Sequence, residues 1–128
     1  MLQTGFGLLA LLHGLIHLLY FGHSQRHFEL AEGFLWPEDS WLLSRLAGVK
    51  ALLTAAGILL LISLLLLTAA GVGYLFHQPW RQLVLAVGAS WSSLTYLILW
   101  DGTGKRLADQ GLIGLLINFI LLAFIFLS

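Results

Sequence analysis

Between Leu52 and Ala70 the chain runs for nineteen residues without a charged side chain, and most of them are Leu, Ile or Ala. At 1.5 Å per residue that is about 28 Å of helix, close to the roughly 30 Å of a bilayer's hydrocarbon core. A soluble domain of this size has no means of wrapping such a segment in polar surface. The composition agrees: 59% of the 128 residues are hydrophobic and 9% are charged. Soluble chains sit near half apolar and a quarter charged. The reading is an all-α integral membrane four-helix bundle. It forms a single domain over 1–128, with spans at about 2–21, 50–70, 80–100 and 110–127 and an interfacial polar segment at about 22–49.

The charge balance excludes other classes. Six Lys and Arg offset six Asp and Glu, with no basic run, so nucleic acid is not a partner. There is no cysteine, which removes disulfides, thiol catalysis and thiolate metal sites together. The N-terminus has no basic leader and no small-residue cleavage site, so its apolar run reads as a retained span.

The first span carries the chemistry. His13 and His17 stand four residues apart in an otherwise apolar segment, hence on one helix face. Gln3, Phe6, Ala10 and Tyr20 fall on the same stripe, within about 100° at 100° per residue. Ionisable groups inside a span are expensive and mark functional sites by default. Three readings stand for the pair: a metal or proton site, an axial ligand to a tetrapyrrole, or a hydrogen-bonded tie between helices. A metal site would need further ligands, for which His23 and His27 are the candidates if the helix continues through Gly22. Haem is less favoured, because outside the first span and its loop only His77 remains, at the far end of span two.

Supporting candidates lie on the other spans. Asn118 is the one polar residue at the core of span four, Asp101 closes span three, and Ser93 belongs to a hydroxyl cluster with Ser90, Ser92 and Thr95. No nucleophile elbow, zinc-protease motif or paired carboxylates occur, so an enzyme is the least supported class.

The polar segment mixes Arg26, Glu29 and Glu32 with Phe28, Phe34 and Trp36, as at the headgroup level. A continuous helix is expected from Ser40 into span two, with Gly71-Val72-Gly73 ending it and Pro79 in the first turn of span three. Glycine-rich faces on spans one and four invite partners, so a homo-oligomer or a subunit of a larger complex is expected beside the lipid bilayer. Arg26, Arg45, Lys50, Lys105 and Arg106 flank the first and third connections, against Arg81 alone at the second. The positive-inside rule then places those two connections in the cytoplasm and both termini outside.

The segment His13-Gly14-Leu15-Ile16-His17-Leu18-Leu19-Tyr20-Phe21 resembles an HGLIHLLGF-like opening shared by a group of small, uncharacterised four-span bacterial and archaeal membrane proteins. Further likenesses are Pro79-Trp80 before the third span, Trp100-Asp101 at its end, and Gly114-x-x-x-Asn118 in the fourth. Tyr20 departs from the glycine of that pattern and would fill space beside His17. The resemblance implies four spans in a prokaryotic cytoplasmic membrane and singles out the same residues, but it carries no activity. A likeness to DoxX-type four-span proteins is one of architecture only.

Overall fold

A computed structural model describes residues 2–28, 36–37, 40–43, 48–100, 102 and 111–127. Four helices account for most of them: α1 (Leu2–Ser24), α2 (Val49–Leu75), α3 (Arg81–Leu99) and α4 (Leu112–Leu127). No strand occurs among the described residues. The first three helices are long and apolar enough to cross a membrane, and α4 is a shorter apolar helix of 16 residues. The all-α membrane-type bundle expected from the sequence is the observed architecture.

Helices α1 and α2 pack most intimately, then α2 on α3 and α3 on α4, while α1 touches α4 lightly. The closeness of α1 and α2 comes from small residues. A Cβ added at Gly71 would lie 2.6 Å from the Leu11 backbone nitrogen, and one at Gly14 would lie 2.8 Å from that of Thr68. Only hydrogen fits at these crossings, so the two backbones approach directly. Gly7 and Gly14 on α1 are filled by α2, and Gly114 on α4 by Tyr96 of α3, whereas a Cβ at Gly5 would meet nothing within 4 Å.

The helix ends depart from expectation for identifiable reasons. Helix α2 does not begin at Ser40. It starts after Gly48, whose backbone is extended, and Ser40 to Leu43 lies instead beneath the end of α3. There the Ser40 hydroxyl donates to the Ile98 carbonyl, the Trp41 indole to Leu97 (2.6 Å) and the Trp41 amide to Trp100 (2.9 Å). The last carbonyls of a helix have no intrahelical donor, and this segment supplies three.

Helix α2 also runs through Gly71-Val72-Gly73 to Leu75, because the glycines are held by close packing rather than by a turn. It ends where His77 takes a left-handed conformation (φ 53°) and the Gln78 amide bonds back to the Gly73 carbonyl at 2.8 Å. Helix α1 continues through Gly22 and ends the same way. Arg26 is left-handed (φ 64°) and the His27 amide reaches the Gly22 carbonyl at 3.0 Å. Helix α3 begins at Arg81 with Trp80 as its cap, so Pro79 precedes the helix rather than forming its first turn.

Two apolar clusters fill the interior. Ala10, Leu67, Ala70, Tyr74, Leu85, Ala89, Leu121 and Phe124 form one. Trp36, Leu52, Ala56, Leu60, Tyr96 and Leu99 form the other. The buried residues between the clusters include polar ones on each helix: His13 and His17 on α1, Ser63 on α2, and Ser92 and Thr95 on α3. Asn118 joins them from α4. The bundle is thus two greasy layers with a polar layer between.

Candidate functional site

The polar layer is a hydrogen-bonded network spanning three helices. His13 Nε2 lies 2.8 Å from Asn118 Oδ1, Asn118 Nδ2 lies 3.0 Å from Ser92 Oγ, and Ser92 Oγ lies 2.7 Å from His17 Nε2. His17 Nδ1 closes the path on the His13 backbone carbonyl, one turn back, at 2.8 Å. The Tyr96 hydroxyl stands 3.3 Å from His17 Nε2. His13, His17, Ser92 and Asn118 are each at most 1% exposed.

The donor order follows from one group that can only accept. The His13 carbonyl requires a hydrogen on His17 Nδ1, so in a neutral ring His17 Nε2 carries a lone pair. The Ser92 hydroxyl then donates to that lone pair and accepts from the Asn118 amide. With its amide turned to Ser92, Asn118 offers its oxygen to His13, whose Nε2 must carry hydrogen. These four bonds are satisfied with both imidazoles neutral, which suits a layer buried at the centre of a membrane-type bundle. One polar atom of the network has no partner: His13 Nδ1.

Local sequence explains how each side chain arrives. His13 and His17 are one turn apart on α1, with rings 4.8 Å apart and nearly perpendicular. On α3, Ser92 and Tyr96 repeat the same four-residue spacing, so both meet His17 from one face. On α4, Gly114 and Asn118 do likewise. A Cβ at Gly114 would lie 2.8 Å from the Tyr96 hydroxyl oxygen, and Gly111 lies against the same ring with a φ of 98° that favours glycine. The Gly-x-x-x-Asn pattern therefore has a structural meaning: its glycine seats the tyrosine and its asparagine holds the histidine.

Of the residues expected from sequence, His13, His17 and Asn118 come together. Tyr20 sits one layer away, its ring edge-on to Trp36 (5.3 Å) and Tyr96 (5.8 Å). Ser93 does not join; its hydroxyl bonds the Ala89 carbonyl of its own helix at 2.8 Å, and Ser92, 100° round the helix, occupies the place expected for it. Asp101 lies outside the described residues. Ser92 and Tyr96 were missed as site residues, although their four-residue spacing on span three mirrors that of the histidines.

The four-histidine metal set is not assembled. His23 is buried, but its ring bonds backbone: Nδ1 donates to the Phe28 carbonyl and Nε2 accepts from the Trp36 amide, each at 3.0 Å. His27 is exposed. Among the described residues no three His, Cys, Asp or Glu side chains converge as metal ligands. A bis-histidine haem is no better served: both His17 nitrogens are engaged, His13 leaves one nitrogen free, and His77 lies exposed beyond the far end of α2. No protein-family model, curated protein or solved structure matches the chain.

Proposed function

We propose that this chain is a small integral membrane binding or transport module whose working site is the His13–Asn118–Ser92–His17 network, and whose cargo is the proton. The observation that carries this reading is the network's continuity. Two imidazoles, an amide and a hydroxyl link α1, α3 and α4 in the middle of the bundle without a break. Imidazole is the side chain whose ordinary titration range spans neutral pH, and chains of such groups serve as proton relays in membrane proteins. A metal ion and a small hydrophobic molecule fit less well. A metal would displace bonds already made, and a purely apolar molecule would leave the buried His13 Nδ1 without a donor. Two open clefts among the described residues lie elsewhere, one against Gly48 to Ile58 and one between Phe6 and Phe124.

The orientation we propose has four spans, both termini outside and the first and third connections in the cytoplasm. The five-to-one excess of Lys and Arg on those connections supports it. So does the seating of Ser40 and Trp41 on the end of α3, which brings the first connection to the same end of the bundle as the third.

The test is proton flux into vesicles reconstituted with the pure protein and a trapped pH dye. The expected result is a flux abolished by His13→Ala combined with His17→Ala. Flux equal to that of empty vesicles removes the transport reading. A purely architectural role is the second reading, favoured by how fully the network is hydrogen-bonded; it predicts no flux but a loss of stability in the same variant.

A further inference from the structure

The two histidines are not equivalent, and the difference names what the site takes. His17 has no vacancy. Its Nδ1 hydrogen is held by the His13 carbonyl, and its Nε2 lone pair receives the Ser92 hydroxyl at 2.7 Å, with Tyr96 beside it at 3.3 Å. His13 has one nitrogen engaged, on Asn118, and one that is buried and unpartnered. Since the order of the network places the ring hydrogen on Nε2, the unpartnered Nδ1 is a bare lone pair. An unsatisfied acceptor sealed inside protein is costly and rare, and where it persists it calls for an explanation.

We infer that His13 Nδ1 is the acceptor through which this site takes its ligand, and that the ligand is a hydrogen-bond donor: a proton, or a small neutral molecule bringing an O–H. This rests on the network being the working site. A carbonyl or ether offers Nδ1 only a second lone pair, and one free nitrogen cannot hold a metal against the three or four ligands it needs. His17, Ser92 and Asn118 are positioning residues. They hold His13 in the tautomer that presents the lone pair, and Ser92 does so without touching His13, through Asn118. The titratable groups nearest His13 on the described elements are His17 and, behind it, Tyr96, neither of them charged in this arrangement, with Tyr20 a layer further on. At this level α2 brings Ser63 and Thr68, whose hydroxyl is likewise buried and unpartnered.

The experiment is solid-state nitrogen NMR of the full chain, labelled at its imidazoles and reconstituted in lipid bilayers. At neutral pH His13 is expected as the Nε2–H tautomer and His17 as the Nδ1–H tautomer. On acidification the His13 Nδ1 signal should move before either nitrogen of His17. In a second arm, hexanol at constant pH should move the same signal if a neutral hydroxyl is also accepted. If only acid moves it, the ligand is the proton. Ser92→Ala should leave His13 a mixture of tautomers, and Ser92→Thr should restore one. The inference is overturned if His13 is found as Nδ1–H, if His17 responds first, if neither arm moves Nδ1, or if Ser92→Ala leaves the His13 tautomer unchanged. Tautomers as stated, together with absent vesicle flux, would remove the transport reading and leave this one standing.

Discussion

Asn118 does two jobs with one amide, accepting from His13 and donating to Ser92, and those bonds tie α4 to α1 and to α3. Asn118→Leu keeps the branched four-atom shape of the side chain but strands both buried partners. Hydrogen bonds between membrane helices average about 0.6 kcal/mol, and stranding a buried partner costs about 1–3 kcal/mol. We expect a net loss of about 1–2 kcal/mol, read as a lower midpoint in detergent or steric-trap unfolding. His17→Leu should cost more than His13→Leu. The first breaks the contacts to Ser92 and Tyr96 together, whereas the second breaks one side-chain bond. Equal losses would mean that His17 does not anchor the network. At this scale the sequence was informative about depth and silent about partners. Two histidines and an asparagine in apolar runs are conspicuous, but which of Ser92 and Ser93 faces them depends on the rotation of α3. Several serines occupy neighbouring faces of that helix, so no polar stripe betrays its rotation.

At the level of elements, glycine decides how the helices meet. Gly71→Ala drives a methyl group into the Leu11 backbone, which cannot rotate away. Forcing extra volume into a well-packed core costs about 1–3 kcal/mol, so that loss is expected here. Gly5→Ala is the control, with nothing within 4 Å of the added carbon. It should be neutral or stabilising by up to about 1 kcal/mol from helix propensity. The same unfolding assay separates the two. Helix existence was legible from apolar runs, but helix ends were less so. The signal of Gly71 and Gly73 as a terminus was outweighed by their packing. The true ends place Arg26 and His77 in the left-handed position where glycine is usual. The start of α2 was missed because Ser40 to Leu43 finds acceptors on α3 that span-by-span reading does not bring near.

For the whole molecule, the absence of cysteine makes topology directly measurable. With Gln3→Cys and Lys105→Cys as separate variants, an impermeant thiol reagent applied to intact cells should label the first and spare the second. The reverse pattern inverts the orientation proposed here. Composition alone settled the class, since no soluble fold covers a chain that is 59% hydrophobic and 9% charged. What composition could not convey is that a band of buried polar residues, His13, His17, Ser63, Ser92, Thr95 and Asn118, lies between two apolar clusters.

The notch in the first turns of α4 bears on how this protein could be altered at a distance. Gly111 and Gly114 lie against the Tyr96 ring, and the hydroxyl of that ring reaches His17. A single methyl at Gly114 would therefore act as a lever: it meets no histidine, yet it must displace the tyrosine that does. Gly114→Ala should be detected as a shifted His17 imidazole resonance while α4 keeps its helicity. In that sense the environment of an imidazole on the first helix is set by the girth of a residue on the last.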